Sequence, residues 1–326
     1  MISAAVHIPP MQGHIRPVDP ARDMGAIANL IEIAFGSEMD HMGSNLVADL
    51  RQMAALGPLL TFIDHVAPFV GGYVYEQDGR LVGNVTVTPE DPVLRHWFIS
   101  NVAVHPDVQH HGIGRELMAA SLDGIRHRGG RQVTLQVRSD NEPAQRLYRR
   151  LGFKRFDTLV ELLRPRSIPA PAQPAAPLRR LGSRDWQALL DLAAAATPAE
   201  VQQVRPLRAS AFRPSLSRRI EEWLESIFGG QQTWRWGIEE DRVLTAVVST
   251  LVQSGAGPAR IDLTVRPGHR GAVENELADW GLNMLVGWYP RAVAATVSTS
   301  HREALQALQS RCFVSLRTLD QLVLAL

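Results

Sequence analysis

Two stretches of the chain carry residue types that can do chemistry. The first is Gln109, His110, His111, Gly112, Ile113, Gly114 and Arg115, which follows the apolar run Val102, Ala103 and Val104 across His105 and Pro106. A strand feeding a glycine-bearing turn at a helix start is suited to phosphate. Its backbone N–H groups point outward, the helix dipole favours negative charge, and residues without Cβ admit close approach. Arg115 adds positive charge beside those amides. The second stretch is Asn141, Ala144, Leu147, Tyr148, Gly152 and Phe153, which puts one phenol on a helical face. Each stretch also has a plainer reading. Glycines near a helix start serve as turn residues, and an aromatic residue at helical spacing is more often core than reactive.

The elements that must position these residues are legible in the pattern. His14–Val18 predicts a strand, and Asp19 caps a helix with Pro20 at its first position. Met24, Ile27, Leu30, Ile31, Ala34 and Phe35 share one face of that helix. Leu46–Leu56 predicts a second, shorter helix. Phe69–Glu76 and Leu81–Thr88 flank Asp78 and Gly79, a hairpin signal. Trp97–Val104 is a further strand, and Ile113–Arg128 an amphipathic helix stopped by Gly129 and Gly130. Val133, Leu135 and Val137 alternate with polar residues as a strand. Ala144, Leu147, Tyr148 and Leu151 mark a helix closed by Gly152, and Phe156–Leu163 a last strand. The order βααββ-βαβαβ predicts an α/β class with a mixed sheet flanked by helices.

Residues 164–177 lack periodicity and are crowded with proline and alanine, a linker composition. The expected organisation is therefore an N-terminal extension (1–13), a first domain (14–163), the linker (164–177) and a second domain (178–326). The second half repeats the plan in worn form. Trp234–Ile238 and Val243–Val252 echo the first hairpin, Arg260–Val265 with Pro267 echoes the strand and turn, and His301–Phe313 falls on Asn141–Phe153. There the two spaced glycines become Ala272 and Glu274, or Val273 and Asn275. Asn141 becomes His301 and Tyr148 becomes Leu308. A carboxylate at the turn repels phosphate and leucine donates no proton, so this half reads as chemically silent.

Composition excludes several function classes. The chain has 326 residues, 45% hydrophobic and 21% charged, enough for two domains of ordinary soluble type. A net charge of +1 gives no field that would draw nucleic acid or an anionic membrane. The first ten residues lack the pattern of a signal peptide, and no apolar run is long enough to span a bilayer. The single cysteine, Cys312, excludes an intrachain disulfide and gives no zinc pattern. A cytoplasmic location is expected. His110 and His111 are adjacent and read as turn polarity rather than a metal site. The basic end formed by Arg126, His127, Arg128 and Arg131 reads as a solvated helix terminus, or else as a contact to a phosphate.

The glycine signature followed about thirty residues later by the Asn141–Phe153 string resembles the GNAT superfamily of N-acetyltransferases, in particular the branch that includes ribosomal-protein N-terminal acetyltransferases. The resemblance covers His14 to about Leu163, and weakly Leu178 to Leu326. It implies two tandem domains, each a central, mostly antiparallel sheet flanked by helices, the second degenerate. It implies acetyl-CoA as co-substrate with no metal, and direct attack by a primary amine in a ternary complex. The residue roles it implies follow its motif. Val102 and Val104 offer backbone groups to the pantetheine arm. Gln109, His110, Gly112, Ile113, Gly114 and Arg115 bind the pyrophosphate. Asn141 contacts the pantetheine or orders the site, and Tyr148 sits near the sulfur and assists the departing thiolate. Many relatives carry a glutamate where this chain has Asn101, so Asn101 is expected to act through a held water. The acceptor is a small-molecule amine or a peptide N-terminus, its loops lying around residues 36–68. The chain is then a monomer (an intrachain pseudo-dimer) or a homodimer. A catalytically silent acyl-CoA-binding sensor or regulatory module is the alternative.

Overall fold

The computed structural model describes residues 13–39, 71–171, 178–213, 232–253, 257–288 and 291–326. The expected helix at Leu46–Leu56, the expected acceptor loops from residue 40 onward, residues 1–12 of the extension and residues 172–177 of the linker lie outside them. The chain divides into two compact units that do not follow chain order. The first comprises Met1–Gln136, Arg150–Gly152 and Val323–Leu326, the second Val137–Arg149 and Phe153–Leu322.

In the first unit, strands β1 (Gly13–Pro17), β2 (Gly71–Gln77), β3 (Arg80–Asp91), β4 (His96–Val104) and β5 (Gln132–Arg138) lie side by side in that order. The first three pairings are antiparallel and β4–β5 is parallel, so the sheet is mixed as expected. The β2–β3 turn has both central residues, Asp78 and Gly79, at positive φ, the geometry whose twist matches a hairpin. Helix α1 (Pro20–Met39) starts where Asp19 accepts the Ala21 amide at 3.0 Å. It buries Met24, Ile27, Ala28 and Ile31 against Val74. Its first turn is tied down by Asp23, a buried carboxylate that accepts both Nη atoms of Arg16 (2.6 and 2.9 Å) and the Asp19 amide (2.8 Å). Burial alone would raise the Asp23 pKa, but those hydrogen bonds and the Arg16 charge hold it below the usual carboxylate value.

Helix α2 (Ile113–His127) buries Ile113, Leu117, Met118, Leu122 and Ile125 at helical spacing. It closes onto β3 at Gly83, where an added Cβ would come within 2.9 Å of Leu117 and 3.0 Å of Ile113. Gly83 therefore sets how closely the start of α2 approaches the sheet. The residue was not singled out by pattern.

In the second unit, α3 (Glu142–Arg150) begins after β5. The sheet runs β12 (Val314–Ala325), β6 (Lys154–Arg164), β11 (Val293–Ser298), β10 (Ala259–Val265), β9 (Val243–Val252), β8 (Gln232–Glu240) and β7 (Arg179–Arg180). Strand β6, expected to close the first half, is inserted here beside β11, with Val293 opposite Arg164 and Ser298 opposite Leu159. Arg164, read as the first linker residue, ends this strand and is buried, donating to the carbonyls of Arg311, Ile168 and Pro169. Helices α4 (Trp186–Ala196), α5 (Ala199–Val204) and α6 (Ala209–Phe212) precede β8. Helices α7 (Glu274–Trp288) and α8 (Arg302–Gln309) cover the apolar core built on Val248, Ile261, Leu277, Leu282, Ala304 and Leu308.

Candidate functional site

The parallel ladder between β4 and β5 runs from His96 opposite Gln132 to Ile99 opposite Leu135. Strand β4 continues five residues past that rung, along β3. Where the ladder stops, the β3–β4 register shifts: Thr86 faces Ser100, while Asn84 faces Ala103. One extra residue on β4 makes a bulge, and Asn101 takes φ +50° there. The Asn101 side chain donates to Thr86 Oγ1 at 3.3 Å, and Asn84 Nδ2 donates to the Asn101 carbonyl at 3.0 Å. Asn84 is wholly buried, with Val74 and Ala103 as its cross-strand neighbours, and its Oδ1 has no partner among the described residues. An unpaired buried oxygen of that kind costs about 1–3 kcal/mol. Asn84 and Thr86 were missed at the sequence level. The available signal was a polar residue interrupting the β-branched run from Leu81 to Thr88.

Beyond β4 the chain passes through a short 3₁₀ turn (Pro106–Val108) into α2. The Gln109 side chain donates to the Val104 carbonyl at 3.1 Å, and His111 donates to the Gln109 carbonyl at 2.8 Å, so both are spent on shaping the turn. His110 and Gly112 have positive φ, +66° and +89°. Arg115 and Glu116 both donate backbone N–H to the Gly112 carbonyl, which starts the helix. The amides of His110, His111, Gly112, Ile113 and Gly114 find no acceptor among the described residues. Gly112 and Arg115 are exposed, and a Cβ on Gly112 would meet nothing within 4 Å. Five successive unpartnered N–H groups at a helix start form an anion cradle open to solvent. A diphosphate suits that donor set. Ile113 belongs to it only through its amide, since its side chain is buried against the sheet.

The basic end of α2 is spent locally. Arg126 pairs with Asp123 at 2.9 Å, His127 donates to the Asp123 carbonyl at 2.7 Å, and the Arg128 guanidinium lies 5.9 Å from the Trp97 ring centre. Among the described residues no cluster of His, Cys, Asp and Glu has the arrangement of a metal site.

Asn141 and Tyr148 belong to the second unit. Asn141 is the N-cap of α3: its Oδ1 accepts the Ala144 amide at 3.1 Å, which leaves its Nδ2 without a partner among the described residues. Tyr148 is 5% exposed and its ring meets Phe153 edge-on, centroids 5.9 Å apart. Its hydroxyl has no hydrogen-bond partner among the described residues, and burial pushes its pKa up to about 12.

The second half carries a related turn at Gly271. Gly271, again at positive φ, donates its amide to Glu274 Oε2 at 2.8 Å, and Ala272 donates to the His269 carbonyl. Glu274 is buried, and its other oxygen accepts His301 Nε2 at 2.9 Å. Arg270 donates to the carbonyls of Ser300 and Ala196. The carboxylate expected to repel phosphate instead occupies the turn, filling from within a place that stays open in the first half.

The mixed sheet is splayed at a bulge, and the helix that follows begins in a run of amides open to solvent. The model of the acetyltransferase (GNAT) family matches residues 44–153. The chain is 32% identical over 158 residues to a mycothiol acetyltransferase of Actinosynnema mirum, 47% of this chain and 49% of the relative. It is 28% identical over 89 residues to a putative [ribosomal protein bS18]-alanine N-acetyltransferase of Bacillus subtilis, 27% of this chain and 56% of the relative. Its matches thus span about half the length of these curated relatives. Among solved structures, a GCN5-related N-acetyltransferase from Sphaerobacter thermophilus superposes with TM-score 0.65 at 18% identity, over 96% of this chain and 95% of the other. A tandem GNAT protein from the clavulanic acid biosynthesis pathway gives 0.59 at 18% identity, over 96% and 98%. The GNAT model thus covers one segment in the first half of the chain, and the fold as a whole is that of a tandem GNAT protein.

Proposed function

We propose that this protein is an acetyl-CoA-dependent N-acetyltransferase with one active site, in the N-terminal half. One observation carries the reading: five successive amides, His110 to Gly114, lack acceptors among the described residues at the start of a helix that follows a splayed strand. In this reading the cradle and Arg115 hold the coenzyme pyrophosphate, while Val102 and Val104 align the pantetheine arm. The Val104 carbonyl already accepts from Gln109, which leaves its second lone pair for that purpose. The coenzyme supplies a thioester, and holding it in line with an amine yields much of the acceleration.

Attack by the amine nitrogen forms the C–N bond, places negative charge on the carbonyl oxygen, and then expels the coenzyme thiolate. Amides of the bulged strand stabilise that oxygen as charge develops. Tyr148 serves the thiolate by hydrogen bonding. With its pKa pushed up to about 12 against about 8.5 for a thiol, full proton transfer is about 5 kcal/mol uphill, so solvent completes it. Asn101 accepts no proton as a base, and we assign it a water that relays the amine proton. An α-amine of pKa near 8 eases that step relative to an alkylamine near 10.4.

The names of the relatives point to two acceptor types, mycothiol and a ribosomal-protein alanine, and we propose a primary amine on a small molecule or at a peptide N-terminus. The single cysteine and near-neutral charge suit a cytoplasmic protein acting as a monomer or homodimer.

Calorimetry with coenzyme A, followed by acetyl-CoA consumption with a panel of amines and peptides, tests the proposal. Binding with turnover supports it. Tight binding with no turnover on any acceptor favours the acyl-CoA sensor, and no binding at all refutes both.

A further inference from the structure

The bulge at Asn101 is held by a residue with no part in either motif. Asn84 lies on β3 and reaches across to donate to the Asn101 carbonyl at 3.0 Å. Its cross-strand neighbours Val74 and Ala103 are buried and apolar, and its own Oδ1 is buried without a partner among the described residues. A residue selected for packing alone would be apolar here, since amide burial with one end unsatisfied opposes folding. The side-chain hydrogen bond Asn84 makes falls on the residue at positive φ, where β4 gains its extra residue and leaves β5. Bulges re-aim backbone groups and end pairing. Thr86 holds the same residue from its side chain, at 3.3 Å.

We propose that Asn84 is a positioning residue for the thioester: by fixing the Asn101 carbonyl it sets the bulge, and the bulge aims β4 amides at the acyl oxygen. This rests on the coenzyme reading above. It separates two tasks along one strand and turn, with the cradle gripping the phosphates and the bulge that Asn84 holds presenting amides to the carbonyl.

The probe is acetyl-CoA labelled with ¹³C at the thioester carbonyl, whose stretching frequency falls when the oxygen accepts hydrogen bonds. The variants are Asn84→Ala and Asn84→Leu, the second close in volume and free of the unpaired oxygen, so that folding is retained. In the full chain, calorimetry with coenzyme A should give unchanged affinity, within twofold, for wild type and both variants. Difference infrared spectra should show the band red-shifted on wild type, with most of that shift lost in both variants. A variant that keeps the full shift overturns the proposal. So does a variant whose coenzyme affinity falls in step with the shift, because Asn84 would then be structural. Wild type that binds without any shift also overturns it while leaving the coenzyme reading intact. Wild type that does not bind coenzyme A takes both down.

Discussion

Replacing Gly112 by aspartate separates charge from shape in the cradle. Gly112 is exposed and sits at φ +89°, and a Cβ there touches nothing within 4 Å. Alanine and aspartate therefore share one cost, the backbone strain of a left-handed conformation, about 1–2 kcal/mol. They differ in charge. Two unit charges about 4 Å apart interact by about 1 kcal/mol in water and about 4 kcal/mol at an effective dielectric of about 20. A pyrophosphate carries at least two charges, so even the lower figure gives about 2 kcal/mol, or about 30-fold in Kd. The new carboxylate also competes for the free amides, as Glu274 does at Gly271 in the second half. Calorimetry with coenzyme A should then show Gly112→Ala within a few-fold of wild type and Gly112→Asp weaker by about 30-fold or more. Both should melt at similar, slightly lowered temperatures. Raising salt should narrow the gap between them, because exposed charges are screened. Equal weakening by alanine and aspartate, or undiminished binding by the aspartate variant, refutes the cradle.

Tyr148→Phe should lower kcat while leaving coenzyme affinity and melting temperature nearly unchanged, because the hydroxyl has no hydrogen-bond partner among the described residues. The raised pKa also has a stability signature. The folded phenol keeps its proton up to about pH 12, whereas the unfolded one releases it near 10, so folding loses about 1.4 kcal/mol per pH unit across that window. Alkaline denaturation curves should lose this slope in Tyr148→Phe, and an unchanged slope contradicts the assignment. Asp23→Ala should destabilise the chain by about 3 kcal/mol in urea unfolding, since it leaves the Arg16 guanidinium without its buried partner. The depressed Asp23 pKa makes its contribution present above the ordinary carboxylate value and lost as pH falls through the folded one. Glu274→Gln should lower the melting temperature and leave coenzyme A binding at one site per chain with unaltered Kd. A second binding event in the unmodified protein refutes the silent reading of that half.

Much of the fold was legible because its signals are local. Periodicity placed α1 and α2, the Asp78–Gly79 pair placed the hairpin, and Gly152 ended α3. The cradle was legible for the same reason, since a turn and a helix start are set by a few adjacent residues. Two things were not. Strand β6 reads as the end of the first half, and only the distant chain segment at β11 reveals that it pairs with the second. Long-range pairing leaves no mark in a strand's own alternation. The clamp of Asn84 and Thr86 was hidden for a related reason. Its meaning lies in the carbonyl it holds seventeen positions later, and a lone asparagine within a strand announces only that alternation is broken. In the second half, pattern predicted that Glu274 would exclude phosphate, but not that it would take up the Gly271 amide and His301.

That internal carboxylate has a consequence for how the two halves respond to their surroundings. A turn whose Gly271 and Ala272 amides are taken by its own chain is held in shape from within. At Gly112 no side chain takes that place among the described residues, so in the proposed reading the turn is completed only by a bound anion. Two related turns in one polypeptide are thus finished differently, one by the chain's own Glu274 and the other left accessible to solvent.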